Sequence, residues 1–200
     1  MRRFLAFISL PFLAFACSNS ELTASDLIPW VEDDENGLHK ELQVSAYEFE
    51  AQYKPIDYIV AMEARTDEIS ELDYQSTKTE LEGLEYFDLS IGGLYENANA
   101  LNANISSDEE YFSRLDYYLT YARNDIFLAQ DSDTLMPVIY HFERNYGISS
   151  KNKILLGFET EPTNLNDMTL VMDDQVLGIG RVKFTFSKED LNAIPKLKRI

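Results

Sequence analysis

The chain is poor in the side chains that most often carry catalysis. It has two histidines, His39 and His141, and one cysteine, Cys17. A serine nucleophile worked by a histidine base would need a Gly-x-Ser-x-Gly elbow, and neither histidine follows one. Structural zinc needs clustered Cys and His, which one cysteine and two widely separated histidines do not supply. Gly178-Ile179-Gly180 leads into a strand-like segment, so it lacks the helix start that a phosphate loop requires. Asp131-Ser132-Asp133 and Asp173-Asp174 are short acidic turns, but neither runs on into the spaced ligands and closing Glu of a calcium loop. With 35 acids present, any two could meet as the paired carboxylates of a glycosidase, and abundance alone selects none. The sequence therefore names no catalytic, cofactor-binding or metal-binding residue, and the expected function is non-enzymatic.

The one residue with an assignable chemistry is Cys17. Met1-Arg2-Arg3 is a short positive leader, Phe4 to Phe15 is an apolar run broken by Ser9 and Pro11, and Ala16 is the small residue before the cysteine. This three-part layout is that of a secretory signal. A helix rises ~1.5 Å per residue, so the run reaches roughly 20 Å and falls short of a ~30 Å hydrocarbon core. Because Cys17 is the only cysteine, no intrachain disulfide explains it.

Leu13-Ala14-Phe15-Ala16-Cys17 resembles the lipobox of bacterial lipoproteins, with Leu13 one place earlier than that family's usual leucine. The resemblance implies cleavage before Cys17, lipidation of its thiol and attachment to a membrane. Each buried methylene contributes ~0.8 kcal/mol, and two or more chains anchor stably where one does not. In Gram-negative members an Asp after the cysteine retains the protein in the inner membrane. Ser18 stands there instead, so the expected location is the outer membrane of the cell envelope.

The leader holds two of the basic residues and no acid, so its removal takes the formal charge from −18 to about −20. Such a body repels nucleic acid and anionic headgroups. With 45% hydrophobic and 12% aromatic residues the chain can still build a packed core.

The expected organisation is a signal peptide over 1–16, a lipidated cysteine with an acidic tether over 17–38, and a single globular domain over 39–200. The tether reading rests on small polar residues at Ser18-Asn19-Ser20 and Thr23-Ala24-Ser25, and on the acidic run Glu32 to Glu35 closing at Asn36-Gly37. Trp30 breaks the pattern and is expected to dock onto its own domain. Alternation over Lys40–Lys54 predicts a strand pair, and Pro55 suits the start of a helix carrying Ile56, Ile59 and Val60. Thr66 to Leu81 is charged and weakly periodic. Leu84–Leu94 predicts a strand, and the Asn-rich stretch Glu96–Ser107 a loop.

The clearest helix starts at Ser106 or Ser107, each with a Glu three residues on. Its expected buried stripe is Phe112, Leu115, Tyr118 or Leu119, and Ala122. Tyr111, Tyr117, Tyr118 and Tyr121 read as packing with a wet rim. Short strands are predicted over Ile126–Gln130, Met136–Arg144, Lys153–Thr160, Thr169–Met172 and Arg181–Phe186, with a last helical turn at Asp190–Ile194. On the second of these strands His141 shares a face with Ile139 and Glu143 and is expected to bond a neighbouring acid. The fold class is α+β, an antiparallel sheet or sandwich covered by one main helix.

Beyond the signal the chain resembles the small lipoproteins of Gram-negative envelopes. That implies a binding or assembly module whose partners are the membrane, through the lipid, and an envelope protein or a glycan. A carbohydrate-binding module and a carboxylate-dependent hydrolase are the alternative readings.

Overall fold

Residues 20–95, 98–144, 149–160 and 166–200 are described by a computed structural model; Cys17 and the stretch 1–16 expected to be a signal peptide lie outside the described residues. The elements run β1 (Glu21–Leu22), α1 (Ala24–Glu32), β2 (His39–Val44), β3 (Tyr47–Lys54), α2 (Ile56–Ala64), α3 (Glu71–Leu81), β4 (Leu84–Gly93) and α4 (Asp108–Asp116). After a π-turn over Tyr117–Tyr121 come β5 (Ile126–Gln130), β6 (Asp133–Leu135), β7 (Pro137–Glu143), β8 (Lys151–Glu159), β9 (Met168–Asp173), β10 (Arg181–Phe186), α5 (Lys188–Asn192) and β11 (Lys196–Leu197). The class is α+β with antiparallel main sheets, as expected from the alternating segments.

Of the two larger sheets one has the order β2-β3-β4-β8-β7 and the other β10-β9-β5-β6, and β1 and β11 form a separate pair. Strand alternation sends one face of each into a common core. Phe49, Ala51 and Tyr53 of β3, Phe87, Leu89 and Ile91 of β4, and Ile154, Leu156 and Phe158 of β8 are all buried. Val182, Phe184 and Phe186 of β10 face them from the second sheet. Ring contacts tie the layers: Phe87 lies 5.3 Å from Phe186 and 5.2 Å from Tyr53, centroid to centroid. Tilted aromatic pairs of this kind add about 0.5–1.5 kcal/mol each beyond the area they bury.

Among the described residues five α-helices accompany the sheets, which corrects the expectation of one main helix. Tertiary packing makes the difference, because α1 and α3 have weak local signals. Pro29 removes a backbone donor inside α1. The helix is held by Ala24, Leu27 and Val31, which form one stripe against the core and against α2. Full burial of Leu27 and Val31 contributes about 1.5–3 kcal/mol apiece. In α3 only Tyr74 is buried; Ser70 caps the helix by accepting the Asp73 N–H at 3.2 Å.

The tether over 17–38 is also corrected for its described part, since residues 20–38 belong to the folded body. β1 pairs in parallel with β11, α1 lies in the core, and Leu38 is fully buried. Trp30 packs against the core, and its carbonyl accepts the Asn36 side-chain amide at 2.9 Å. Small polar residues read as linker because their local pattern is aperiodic; the apolar residues between them find partners far along the chain.

α4 begins where expected, with Ser107 accepting the Glu110 N–H at 3.3 Å while the Glu110 carboxylate reaches back to the Ser106 N–H at 2.9 Å. Its buried face follows the predicted stripe except at Phe112. Leu115, Tyr118 and Ala122 are buried, but Phe112 is 63% and Leu119 50% exposed. Arg114 and Tyr117 take the inner places instead. The π-turn after Asp116 inserts an extra residue into the helical period, which rotates the positions beyond it away from the 3.6-residue register.

Candidate functional site

The outer face of the five-stranded sheet is polar, and strand register decides which residues meet there. His39 pairs with Gln52, Gln52 with Asp88, Asp88 with Leu155 and Leu155 with His141, which lays five residues across one rung. The next rung carries Glu41, Glu50, Ser90, Lys153 and Glu143. Over one side of this face stand Glu32, at the end of α1, and Tyr58 of α2. Together with His39, Glu50, Gln52, Asp88, Ser90 and Lys153 they line a groove of about 270 Å³.

The groove is held by fixed hydrogen bonds. The Gln52 side-chain amide donates to the carbonyls of Val31 and Leu38 at 3.1 Å, so it staples the end of α1 to the sheet. The Tyr58 hydroxyl donates to Glu32 at 2.8 Å; burial first, then this bond, pushes the phenol above its ordinary pKa and keeps it a donor. Asp88 sits between two ammonium groups, Lys54 Nζ at 3.2 Å and Lys153 Nζ at 3.4 Å. Lys151 reaches Glu48 at 3.0 Å and also Glu50. Burial pulls the Lys151 ammonium down, but the bonds to Glu50 and Glu48 outweigh it and the net direction is up. Exposed ion pairs of this kind contribute about 0–1 kcal/mol each, so their effect is to fix positions and cancel charge.

At one rim His39 contacts Asp34, and Glu41 lies on the same face of β2. One ring nitrogen and two carboxylate oxygens come within 4.8 Å of one another, a donor set of the kind that holds a transition-metal dication. Spacing between histidines did not reveal this grouping. The signal that could have found it is the alternation placing His39 and Glu41 on one face of β2, two residues beyond the turn that brings back Asp34.

The chain matches no protein-family model, no curated protein and no solved structure.

The other residues singled out in the sequence fall elsewhere. His141 is exposed on edge strand β7, across the sheet from His39. The carboxylate of Asp131 accepts the Asn166 amide at 2.8 Å. Asp173 pairs with Arg181 at 2.6 Å, and Asp174 accepts backbone N–H groups of Val176, Leu177 and Ile179. The carboxylates of Asp131, Asp173 and Asp174 thus take part in hydrogen bonds within the fold.

A second concavity, of about 220 Å³, brings Glu85 and Asp57 together with Tyr53 and Lys196. Burial raises the Glu85 carboxyl above its ordinary value against the lowering pull of bonds from Tyr53 and Thr160. Asp57 accepts the Tyr74 hydroxyl at 2.7 Å and the Leu197 N–H at 2.8 Å. A wider cleft of about 730 Å³ runs between edge strands β6 and β7, past Gly83 and Thr160.

Proposed function

We propose that this chain is a lipid-anchored protein of the bacterial envelope, held at the outer membrane, whose domain is a non-enzymatic binding or assembly module. Cys17 is the lipidation site in this reading, and the groove on the outer sheet face is the recognition surface. The partner is an envelope protein or a glycan that offers both donors and acceptors.

The observation that carries the binding reading is the pairing of charge in the groove. Asp88 is held between Lys54 and Lys153, and Lys151 bonds both Glu48 and Glu50. General acid–base work needs a group free to exchange its proton with substrate and tuned toward the working pH. Carboxylates clamped by ammonium groups are poorly suited to that role. Fixed donors and acceptors on a rigid sheet serve recognition, because little freedom remains to be lost on binding.

Two measurements test the two halves. Fractionation with intact-mass analysis of wild type and Cys17→Ala should find a diacylglyceryl-modified chain in membranes and the variant in soluble extract; an unmodified membrane chain would end the anchor reading. A photo-crosslinking residue placed at Ser90 in living cells should capture a discrete partner that the same residue at Lys183 does not. Identical capture patterns would remove the groove from consideration.

The hydrolase reading draws on Glu85, whose half-buried carboxyl lines the smaller cavity with Asp57. Loss of any measured hydrolysis in Glu85→Gln with the fold retained would favour it.

A further inference from the structure

We propose that the end of the domain built from β1 and β11 rests directly on the bilayer, with Lys196 and Lys198 in the headgroup layer. This rests on the reading of Cys17 as the lipidated residue.

The covalent distance comes first. Three peptide units separate Cys17 from Ser20, and fully extended they span at most about 11 Å. Ser20 is itself fixed to the body: its carbonyl accepts the Lys196 N–H at 3.0 Å, and the Leu22 carbonyl accepts the Lys198 N–H at 2.7 Å. Immediately beyond, Ser25 is tied to Asp67 through both its N–H, at 2.8 Å, and its hydroxyl, at 2.9 Å. Acyl chains on Cys17 enter the hydrocarbon, so a domain fastened this close to them has no length of tether with which to stand off or turn over. The surface around Ser20 is the one brought to the membrane.

Charge at that surface agrees with the geometry. Lys196 and Lys198 flank buried Leu197, so strand alternation turns both ammonium groups outward. Arg199 follows, between the Glu71 carboxylate at 3.4 Å and the Tyr74 ring, whose centroid is 4.5 Å away. The run 196–199 holds three bases and no acid in a chain whose formal charge is −18. Two of the acids nearby face these bases, Glu21 opposite Lys196 in the β1–β11 register and Glu71 beside Arg199, while Asp57 accepts the Leu197 N–H and the Asp67 carboxylate accepts from Ser25. Anionic headgroups repel the acidic remainder of the body and attract this basic strand, so the lipid composition biases the same orientation that the short connection imposes.

The test uses the full lipidated protein in phosphatidylcholine vesicles, with and without added phosphatidylglycerol. With Cys17 acylated, a single introduced thiol carries a fluorophore at Lys198→Cys or, on β10, at Lys183→Cys. Lipids bearing a spin label at the headgroup should quench the probe at 198 severalfold more than the probe at 183, and phosphatidylglycerol should increase that difference. Lys196→Glu made in the Lys198→Cys background, which removes both lysines, should lose the phosphatidylglycerol dependence. Equal quenching at both sites in vesicle-bound protein would overturn the proposal and leave the anchor reading intact. A chain that fails to float with vesicles and lacks the diacylglyceryl mass would overturn both, which distinguishes the two failures.

Discussion

The Tyr53 hydroxyl donates a 2.5 Å hydrogen bond to Oε2 of Glu85, joining a buried phenol on β3 to a largely enclosed carboxyl on β4. Burial leads the upward shift of both groups, followed for Tyr53 by the charge and the bond of Glu85. The folded protein therefore holds the Glu85 proton more tightly than the unfolded chain does. Stability from this group is full below its usual 4.5 and is lost as pH rises through the folded value. Glu85→Gln fixes the neutral form, so its stability relative to wild type should grow as pH is raised from about 4.5 toward neutrality. Urea unfolding at a series of pH values reads this difference; a constant or shrinking gap would refute the assignment.

Arg114 is a buried clamp between α4 and the turn that follows β4. Its Nη1 donates to the carbonyl of Ala103 at 2.8 Å, the carbonyl of Ala100 at 3.3 Å and the Tyr47 hydroxyl at 3.3 Å, and its Nη2 meets Glu110 at 2.7 Å. Arg114→Met keeps the apolar stem and takes this donor from the Ala100 carbonyl and from Glu110, while the Ala103 carbonyl keeps the Tyr47 hydroxyl at 3.2 Å. The expected cost is about 2 kcal/mol, since each buried acceptor left unpaired costs ~1–3 kcal/mol and relief of guanidinium burial offsets part. Faster amide exchange at Leu101 and Ala103, alongside a lower urea midpoint, would locate the loss; unchanged exchange there would contradict the clamp.

Asn152 presents the opposite case. Its side chain is fully buried on the inner face of β8, and among the described residues neither its oxygen nor its nitrogen has a hydrogen-bond partner. Burying an unpaired amide costs about 1–3 kcal/mol by the measure of protein substitutions. Asn152→Val, with its β-branched chain suited to a strand, should raise the thermal midpoint. A lower midpoint would mean that the amide is satisfied by something held in the core.

Gly37 joins the first helical segment to β2 with φ +73°, a left-handed conformation that most side chains resist. A Cβ there would also collide with the Asp190 carboxylate at the start of α5. Gly37→Ala should therefore cost more than the ~1 kcal/mol of backbone strain alone. Asp190→Ser made together with Gly37→Ala should recover the steric part but not the strain. Equal stability of the single and double variants would show that the contact relaxes freely.

What could be read from the sequence was what local order dictates. Period-two alternation marks β3, β4 and β10 because side chains alternate faces along any strand, and the α4 cap is legible because its donor and acceptor are three residues apart. The proposed lipid anchor also comes from sequence alone, since cleavage and acylation signals are short stretches of linear text. Tertiary structure decided the rest. α1 looks like linker until Leu27 and Val31 meet α2 and the core, and Phe112 looks buried by its spacing, although Arg114 and Leu115 take the inner places on α4. The groove depends on β4 pairing with β8, which sets Ser90 against Lys153 and Asp88 against Leu155. No local pattern encodes that register, because it is chosen by which buried faces fit together across the core.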